Sequence, residues 1–398
     1  MTAPQESGSI GQVVVHVFGR TDVGRTREHN EDAFVVADLT RGNATLQPEV
    51  RTHIVGDRGS LFMVADGMGG AAAGEIASAM AIEVVLGELS GAFAEADAPD
   101  KETYAAALKR ATATANARIH QYALEHPEYR GMGTTATIAC VLGDTLFLAQ
   151  VGDSRAYLVR DGTAMQITKD QSLMQKLIEA GEITEEEAEQ SERRNIILQA
   201  LGPEANVKVD LTHQQVRTGD VLILCSDGLS GQVKIDEISR VATDEPDLMQ
   251  VCKRLIDRAN ENGGPDNITV IAVRFDGTGL VHAVSGDDVG HRVFPLPTDS
   301  GQSPAASRGT APPGNVTAPT NAVRIDEARR PTLKIAPQDD PLAAFRTAPA
   351  VSAKRRTRGS IIALVLMLAF LLGAMWAVYR TVSRMAPKKA APPAVTPT

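Results

Sequence analysis

The stretch LFMVADGMGG at residues 61–70 is an apolar run that ends in an aspartate, Asp66, followed mainly by small residues. The same pattern recurs in VLILCSDGLSG at residues 221–231, where the aspartate is Asp227. Short continuous apolar runs bounded by turn residues are typical of buried strands. The two stretches therefore predict two buried strands, each of which delivers a carboxylate to a bend at its end.

A hairpin turn is the alternative for both sites, because Asp-Gly is the commonest hairpin signal. A third such pair, Asp161-Gly162, lies between two segments that both read as strands, and there a hairpin is predicted. The residues after Asp66 and Asp227 read instead as glycine-rich loops that enter helices. We therefore predict that these two carboxylates lie at strand-to-helix junctions, where sites are often built.

Four further acidic residues share this position at the end of an element. They are Glu31 and Asp32 in GRTREHNEDAF, Asp153 in LAQVGDSRAYL and Asp266 in NGGPDNITVIAV. Each one alone is more often a solvated turn residue than a metal ligand. If they converge, however, like charges about 4 Å apart repel by roughly 4 kcal/mol per pair at an effective dielectric constant near 20, so the cluster needs cations. Carboxylates without His or Cys partners favour Mg²⁺ or Mn²⁺.

The composition limits the class of protein. The chain has 398 residues, 43% of them hydrophobic, which is enough for one large core or two ordinary ones. Its net charge of -9 argues against a nucleic-acid partner. The three cysteines lack any metal-ligand spacing and suit a reducing cytoplasm, and no signal peptide is predicted at the N-terminus.

The chain divides by composition into four segments. Residues 12–276 have the alternating apolar runs of a globular domain, whereas residues 277–353 are rich in Pro, Ala, Ser and Thr and predict a disordered linker. Residues 360–379 contain no charge and are long enough to cross a bilayer, so a transmembrane helix is predicted, followed by a short tail at 380–398. Four basic residues lie just before the span and four just after it, so charge alone does not orient it.

Coarse secondary structure places the motifs. Helices are predicted over residues 72–89 and 103–125, which are rich in Ala and long side chains. Residues 134–168 read as successive strands joined by tight turns, which predicts a mostly antiparallel sheet.

Six blocks in chain order resemble the motifs of a known family. They are RTREHNED, VADGMGG, GTT, VGDSR, CSDGL and GGPDNIT, and the resemblance covers about residues 19–275. The set looks like the protein phosphatase 2C family of metal-dependent serine/threonine phosphatases, in its bacterial form. The resemblance implies an α/β (α+β) sandwich, in which two packed antiparallel β-sheets are flanked by pairs of antiparallel helices, with a binuclear metal centre at one end.

The resemblance also implies a set of metal ligands. Asp66 matches the carboxylate that bridges both ions, and the other implied ligands are Glu31, Gly67 through its backbone carbonyl, Asp153, Asp227 and Asp266. Glu31 and Asp32 match residues that act largely through metal-bound waters. The implied cofactors are two Mn²⁺ or Mg²⁺ ions, with a third, weaker ion held by Asp153 and Asp227.

Arg27 and Asp32 are the catalytic residues that the resemblance implies, and Arg27 matches the arginine that grips the substrate phosphate. The chemistry fits these residue types. Hydrolysis of phosphate monoesters is so slow without a catalyst that enzymes accelerate it by up to ~10²¹-fold. Two metal ions supply both an activated water and stabilisation of the phosphoryl charge, and an arginine adds a bidentate fork.

Two departures from the family pattern stand out. Met68 and Ala71 occupy positions that often hold a histidine in relatives, so the general acid is left open, with a metal-bound water as the default. Residues 170–202 resemble a helical flap beside the site, with Gln171 in place of a common histidine. The acidic run in this flap is interpreted as a solvated helix face.

Two other functions are each suggested by part of the sequence. Cys252 and Arg258 have the C-x5-R spacing of a cysteine phosphatase, but the surrounding LMQVCKRLIDRANE has helical periodicity and favours a core helix. A catalytically silent phosphatase-like scaffold that binds phosphoproteins is the second alternative. It predicts the loss of metal ligands, yet Asp66, Asp227 and Asp266 are present.

The sequence therefore predicts a single-pass, membrane-anchored enzyme whose monomeric catalytic domain faces the cytoplasm. Its expected activity is metal-dependent hydrolysis of phosphoserine and phosphothreonine on proteins. The expected partners are phosphorylated proteins, namely serine/threonine kinases and their substrates, together with the membrane through residues 360–379.

Overall fold

The structure of the protein is a computed structural model that describes residues 11–41, 52–94, 98–191, 193–284 and 286–296. The predicted membrane span at 360–379, the tail at 380–398 and most of the predicted linker lie outside the described residues. Among the helices that are described, none is both long and apolar enough to cross a membrane.

Thirteen strands are found in the described part of the chain. They are β1 (Val14–Asp22), β2 (Ala33–Asp38), β3 (Thr52–Ile54), β4 (Ser60–Ala65), β5 (Gly67–Met68), β6 (Gly133–Thr134), β7 (Ala136–Leu142), β8 (Thr145–Val151), β9 (Arg155–Arg160), β10 (Thr163–Gln166), β11 (Asp210–Gln215), β12 (Val221–Cys225) and β13 (Ile268–Asp276). One sheet has the order β10-β9-β12-β13-β1-β3, a second has the order β11-β8-β7-β4-β2, and β5 pairs with β6 in a short ribbon. All of these pairs are antiparallel, as predicted.

Seven α-helices accompany the sheets in the same residues. They are α1 (Ala71–Ala92), α2 (Lys101–Glu125), α3 (Leu173–Glu179), α4 (Glu185–Glu189), α5 (Asp227–Ser230), α6 (Ile235–Asp244) and α7 (Leu248–Glu261). The helices predicted at 72–89 and 103–125 are confirmed as α1 and α2. Helix α2 begins where the side chain of Asp100 accepts a hydrogen bond from the Thr103 amide at 2.7 Å, an ordinary N-cap.

The core has three layers, which explains why the strand sequences are continuous apolar runs. In β4, Leu61 and Met63 pack against α1 and α2, whereas Phe62 and Val64 pack against the six-stranded sheet. On the far side, α6 and α7 cover β12 and β13. Because central strands are buried on both faces, their sequences do not alternate between apolar and polar residues. The predicted sandwich of two antiparallel sheets flanked by helices is confirmed within the described residues.

The predicted hairpin at Asp161-Gly162 is also confirmed. These two residues join β9 to β10, and both have positive φ, 50° for Asp161 and 75° for Gly162. A two-residue turn of this kind matches the twist of the flanking strands. Asp227 lies at the predicted strand-to-helix junction, at the start of α5. Asp66 lies instead between β4 and the two-residue strand β5, and α1 begins a few residues later.

The described residues beyond Asp276 pack on the domain, although the linker was predicted to begin at residue 277. We call residues 286–296 the C-terminal strap. The amide of His213 in β11 donates to the Arg292 carbonyl at 2.9 Å, and the amide of Phe294 donates to the Leu211 carbonyl at 2.9 Å. The side chains of Phe294 and Leu296 enter the core beneath. A few apolar residues in a Pro- and Gly-rich context are enough to anchor the strap, but too few to be visible in the average composition.

The anchoring of the strap can be tested at Phe294, which is 9% exposed and packs on Phe147 and His213 with ring centroids 5.6 Å and 5.2 Å away. Replacing a buried Phe with Ala removes apolar burial and leaves a cavity, so F294A should lower the free energy of unfolding by about 3 kcal/mol. Urea denaturation measures the change. The neighbouring Val293 is 62% exposed, and V293A should change stability by no more than ~0.5 kcal/mol. Equal effects of the two substitutions would contradict the packing of the strap.

Candidate active site

Antiparallel pairing brings the acidic residues to one edge of both sheets. Residue Ala33 pairs with Ala65, so Asp32, which precedes β2, lies beside Asp66, which follows β4. In the other sheet Cys225 pairs with Val270, which places the end of β12 beside the start of β13. Asp227 and Asp266 are therefore neighbours for the same reason. Asp153 lies in the turn between β8 and β9, and Cys225 pairs with Arg155 at that end of β9.

The electrostatics confirm that these carboxylates share one environment. Burial raises the pKa of Asp66 well above its usual range, and the nearby carboxylates of Asp32, Asp227, Asp153 and Asp266 raise it further. Burial also raises the pKa of Asp227 to about 6, and the charge of Asp266 adds to this shift. A carboxylate that is both desolvated and beside other carboxylates is destabilised in its charged form. The cluster is thus acidic, partly buried and held together against its own repulsion.

Asp153 and Asp32 have the same character. Burial raises the pKa of Asp153 to about 7, with a further contribution from Asp227. Burial raises the pKa of Asp32 to about 7, although hydrogen bonds from Thr269 and Ser226 to its carboxylate oppose the shift. Strongly shifted groups that gather in this way are a common feature of functional sites.

Among the residues that the structure describes, three buried oxygens of the cluster find no hydrogen-bond partner. They are Oδ1 of Asp32, Oδ1 of Asp153 and Oδ1 of Asp227. Buried carboxylate oxygens are costly unless they are paired or bind a metal ion. Within the described residues, no three His, Cys, Asp or Glu side chains are already gathered tightly enough to hold one ion between them. The unpartnered oxygens and the all-oxygen donor set nevertheless fit Mg²⁺ or Mn²⁺.

Hydroxyl groups fix the orientation of two of these aspartates. Oδ2 of Asp32 accepts hydrogen bonds from Ser226 Oγ at 2.8 Å and from Thr269 Oγ1 at 2.7 Å. The amide of Asp66 donates to Thr135 Oγ1 at 3.0 Å, and its carbonyl accepts from Thr134 Oγ1 at 2.9 Å. These bonds hold one carboxylate oxygen of Asp32 and the backbone of Asp66 in place.

Glu31 and Gly67 pack closely at the start of α1. The amide of Gly67 donates to the Glu31 carbonyl at 3.2 Å, and Ser78 Oγ donates to the same carbonyl at 2.7 Å. A methyl group on Gly74, in the first turn of α1, would collide with Oε2 of Glu31. The position of the Glu31 carboxylate therefore requires a glycine, which has no side chain, at residue 74.

Arg27 lies over the cluster and contacts it directly. One of its terminal nitrogens donates to Oδ2 of Asp266 at 2.8 Å, and the Arg27 side chain is 48% exposed. The structure thus brings together all of the sequence-predicted site residues: Arg27, Glu31, Asp32, Asp66, Gly67, Asp153, Asp227 and Asp266.

The polar residues that hold these groups have no role that the sequence alone predicts. Ser226 and Thr269 bind Asp32, Thr134 and Thr135 bind the backbone of Asp66, and Asn267 binds the amide of Glu31 at 2.8 Å. All of them lie within the quoted blocks CSDGL, GTT and GGPDNIT. These residues lie in the same sequence blocks as the site residues, which is the signal that could identify them. The groups that they bind are distant in the chain, so the bonds themselves are not predictable from the sequence.

The predicted flap lies beside the turn that carries Asp153. Residues 170–202 contain α3 and α4, and the acidic start of α4 is exposed, as interpreted from the sequence. Gln171 binds the turn that carries Asp153: its backbone amide donates to the Gly152 carbonyl at 2.8 Å, and its side-chain Oε1 accepts from the Gly152 amide at 3.1 Å.

Cys252, the candidate nucleophile of a cysteine phosphatase, lies within α7 in the core, and burial raises its pKa to about 12, so it is not an activated nucleophile.

A family model described as protein phosphatase 2C matches residues 41–270, which is more than half of the chain. The chain belongs to the protein phosphatase 2C family. Among curated relatives, the serine/threonine phosphatase stp of Listeria monocytogenes is 38% identical over 262 residues, which cover 66% of this chain and 96% of the relative. The serine/threonine protein phosphatase PstP of Mycobacterium tuberculosis is 37% identical over 284 residues, which cover 69% of this chain and 49% of the relative.

Solved structures of protein phosphatase 2C relatives have the same fold. The serine/threonine phosphatase of S. agalactiae superimposes with a TM-score of 0.58 at 33% identity, over 65% of this chain and 99% of that one. The catalytic domain of PstP in complex with two manganese ions superimposes with a TM-score of 0.54 at 35% identity, over 66% of this chain and 99% of that one. The family predicted from the six sequence blocks is therefore confirmed.

The close approach of Gly74 to Glu31 gives a test of the site geometry. G74A should displace the Glu31 carboxylate and weaken the binding of Mn²⁺ by about 10-fold or more, the usual cost of disturbing groups around a metal site. Isothermal titration calorimetry with Mn²⁺ measures this directly. Gly87 lies in the same helix with open space around its Cβ position, so G87A should leave Mn²⁺ binding unchanged and stabilise α1 slightly. Normal Mn²⁺ binding by G74A would show that Glu31 is not involved.

Proposed function

We propose that the protein hydrolyses phosphoserine and phosphothreonine on proteins in a metal-dependent reaction. The observation that supports this most strongly is the convergence of buried carboxylates with unpartnered oxygens at one edge of the two sheets. The predicted enzyme class agrees with the family of the chain and with relatives that are named serine/threonine phosphatases.

We infer that the carboxylates of Asp66, Asp227 and Asp266 and the carbonyl of Gly67 hold two Mn²⁺ or Mg²⁺ ions. Glu31 and Asp32 support these ions, and Asp153 with Asp227 supports a third. The related PstP domain with two manganese ions is in keeping with this number. When bound, two such ions would lower the pKa of a water and stabilise the charge on the phosphoryl oxygens.

Arg27 is the residue that we expect to orient the substrate. Arg27 is half-exposed, carries a planar fork of donors and lies beside Asp266, so it is placed to bind the phosphate group of a substrate in two contacts. Its ion pair with Asp266 ties this donor to the edge of the carboxylate cluster. Met68 is at the position where relatives often have a histidine, and it has no proton to give, so it is not the general acid.

We propose further that the catalytic domain faces the cytoplasm from a membrane anchor at residues 360–379. The uncharged run of twenty residues, which is long enough to cross a bilayer, supports the anchor. Its partners are then phosphorylated proteins near the membrane, with serine/threonine kinases and their substrates as the expected class. The full chain should sediment with membranes, whereas a chain ending after Ser307 should stay in the soluble fraction. A full chain that stays in the soluble fraction would contradict the proposed membrane anchor.

The proposed activity is tested with the full chain on a phosphothreonine peptide. Turnover should require Mn²⁺ or Mg²⁺ and disappear with a chelator. D227N should lower kcat/KM by at least about 100-fold, because disturbing even an indirect partner of a metal ion costs about 10–100-fold. D161N, which changes an aspartate in a hairpin turn, should keep full activity.

Two results would contradict this proposal. No metal-dependent turnover would favour the silent scaffold that binds phosphoproteins. Equal losses of kcat/KM in D227N and D161N would contradict the assignment of Asp227 to the site and of Asp161 to a hairpin turn.

A further inference from the structure

Asn267 connects the cluster to an exposed loop through three hydrogen bonds. Its Oδ1 accepts from the amide of Glu31 at 2.8 Å, and its Nδ2 donates to the carbonyls of Val23 at 3.0 Å and His29 at 2.9 Å. The residue is only 4% exposed. Both ends of the side-chain amide are therefore used, and all three partners are backbone groups of residues 23–31.

Residues 23–31, which we call the arginine loop, carry Arg27 and end at Glu31. The loop has no regular secondary structure, and residues 25–29 are exposed, so apolar packing does little to hold it. Its other contacts with the domain include the bond from the Arg25 amide to the Gly264 carbonyl at 2.7 Å. Asn267 binds the loop on both sides of Arg27, through the carbonyls of Val23 and His29.

The backbone of Asn267 also contacts the cluster. Its amide donates to Oδ1 of Asp266 at 2.8 Å, while Oδ2 of the same carboxylate accepts from Arg27 at 2.8 Å. One residue at the start of β13 thus orients Asp266 through its backbone and the arginine loop through its side chain. An aspartate in its place would lack the two donors, and a serine has only one.

We propose that Asn267 is a positioning residue that fixes Arg27 over the carboxylate cluster and thereby sets the affinity for the substrate phosphate. The proposal rests on the proposed phosphatase function for the role of Arg27. It does not require a further ligand of the metal ions. Its consequence is that loss of the Asn267 side chain weakens phosphate binding through Arg27, rather than by a general loss of stability.

Asn116 provides a matched control for a purely structural role. It is 1% exposed, its Nδ2 donates to the carbonyls of Glu204 and Ala205, and its Oδ1 accepts from the Gly202 amide at 2.9 Å. It makes the same number and kind of bonds as Asn267, but with a loop that carries no residue of the cluster. N116A should therefore lower the melting temperature without affecting the arginine loop.

The experiment compares N267A, N267S and N116A in the full chain. Hydrogen exchange of residues 23–31, measured without metal, should be faster in N267A by about 10-fold or more and unchanged in N116A. With Mn²⁺ and a phosphothreonine peptide, N267A should raise KM, and the inhibition constant for inorganic phosphate, by about 10-fold, with a smaller fall in kcat. N267S, which keeps one donor, should lie between N267A and the unaltered chain.

A double-substitution cycle with R27A decides whether Asn267 acts through Arg27. If it does, N267A should add little to the loss in R27A, because residues that act as a unit are not additive. Losses that multiply, or an arginine loop whose exchange is unchanged in N267A, would overturn the proposal. If the unaltered chain shows no metal-dependent turnover, the phosphatase function fails, while the exchange measurement still decides whether Asn267 holds the loop.

Discussion

The repulsion between carboxylates that share one edge of the two sheets is the constraint on which the rest of the structure depends. Burial and neighbouring charges raise the pKa values of Asp66, Asp227, Asp153 and Asp32, so the folded chain holds these groups together at a cost. Strands that are buried on both faces hold these groups in place against their repulsion. A site of this kind is strained without cations and is suited to bind them.

The frame and the site are linked by side chains with a hydroxyl or an amide. Thr134 and Thr135 hold the backbone of Asp66, and Ser226 and Thr269 hold one oxygen of Asp32. Because both bonds to Asp32 use Oδ2, its Oδ1 is left without a hydrogen-bond partner among the described residues. The second layer around the site thus determines which oxygens are available, as is general for metal sites in proteins.

Much of this arrangement could be predicted from local patterns. The apolar runs before Asp66 and Asp227 predict buried strands. The strands on both sides of Asp161 predict a hairpin turn there, whereas the glycine-rich loops after Asp66 and Asp227 indicate a site. Gly74 and Asn267 could not be assigned, because their importance comes from contacts with residue 31, which is distant in the chain. The strap is not predictable for a different reason: Phe294 and Leu296 are isolated apolar residues in a segment whose average composition is that of a linker.

The strap also has a consequence for how copies of the protein meet. Strand β11 is the outer strand of the five-stranded sheet, and an uncovered outer strand offers its unpaired amides and carbonyls to any other extended chain. The bonds from His213 to Arg292 and from Phe294 to Leu211 use part of that row. On this side the sheet is closed by its own chain, which hinders growth of the sheet into a neighbouring molecule and guards against aggregation.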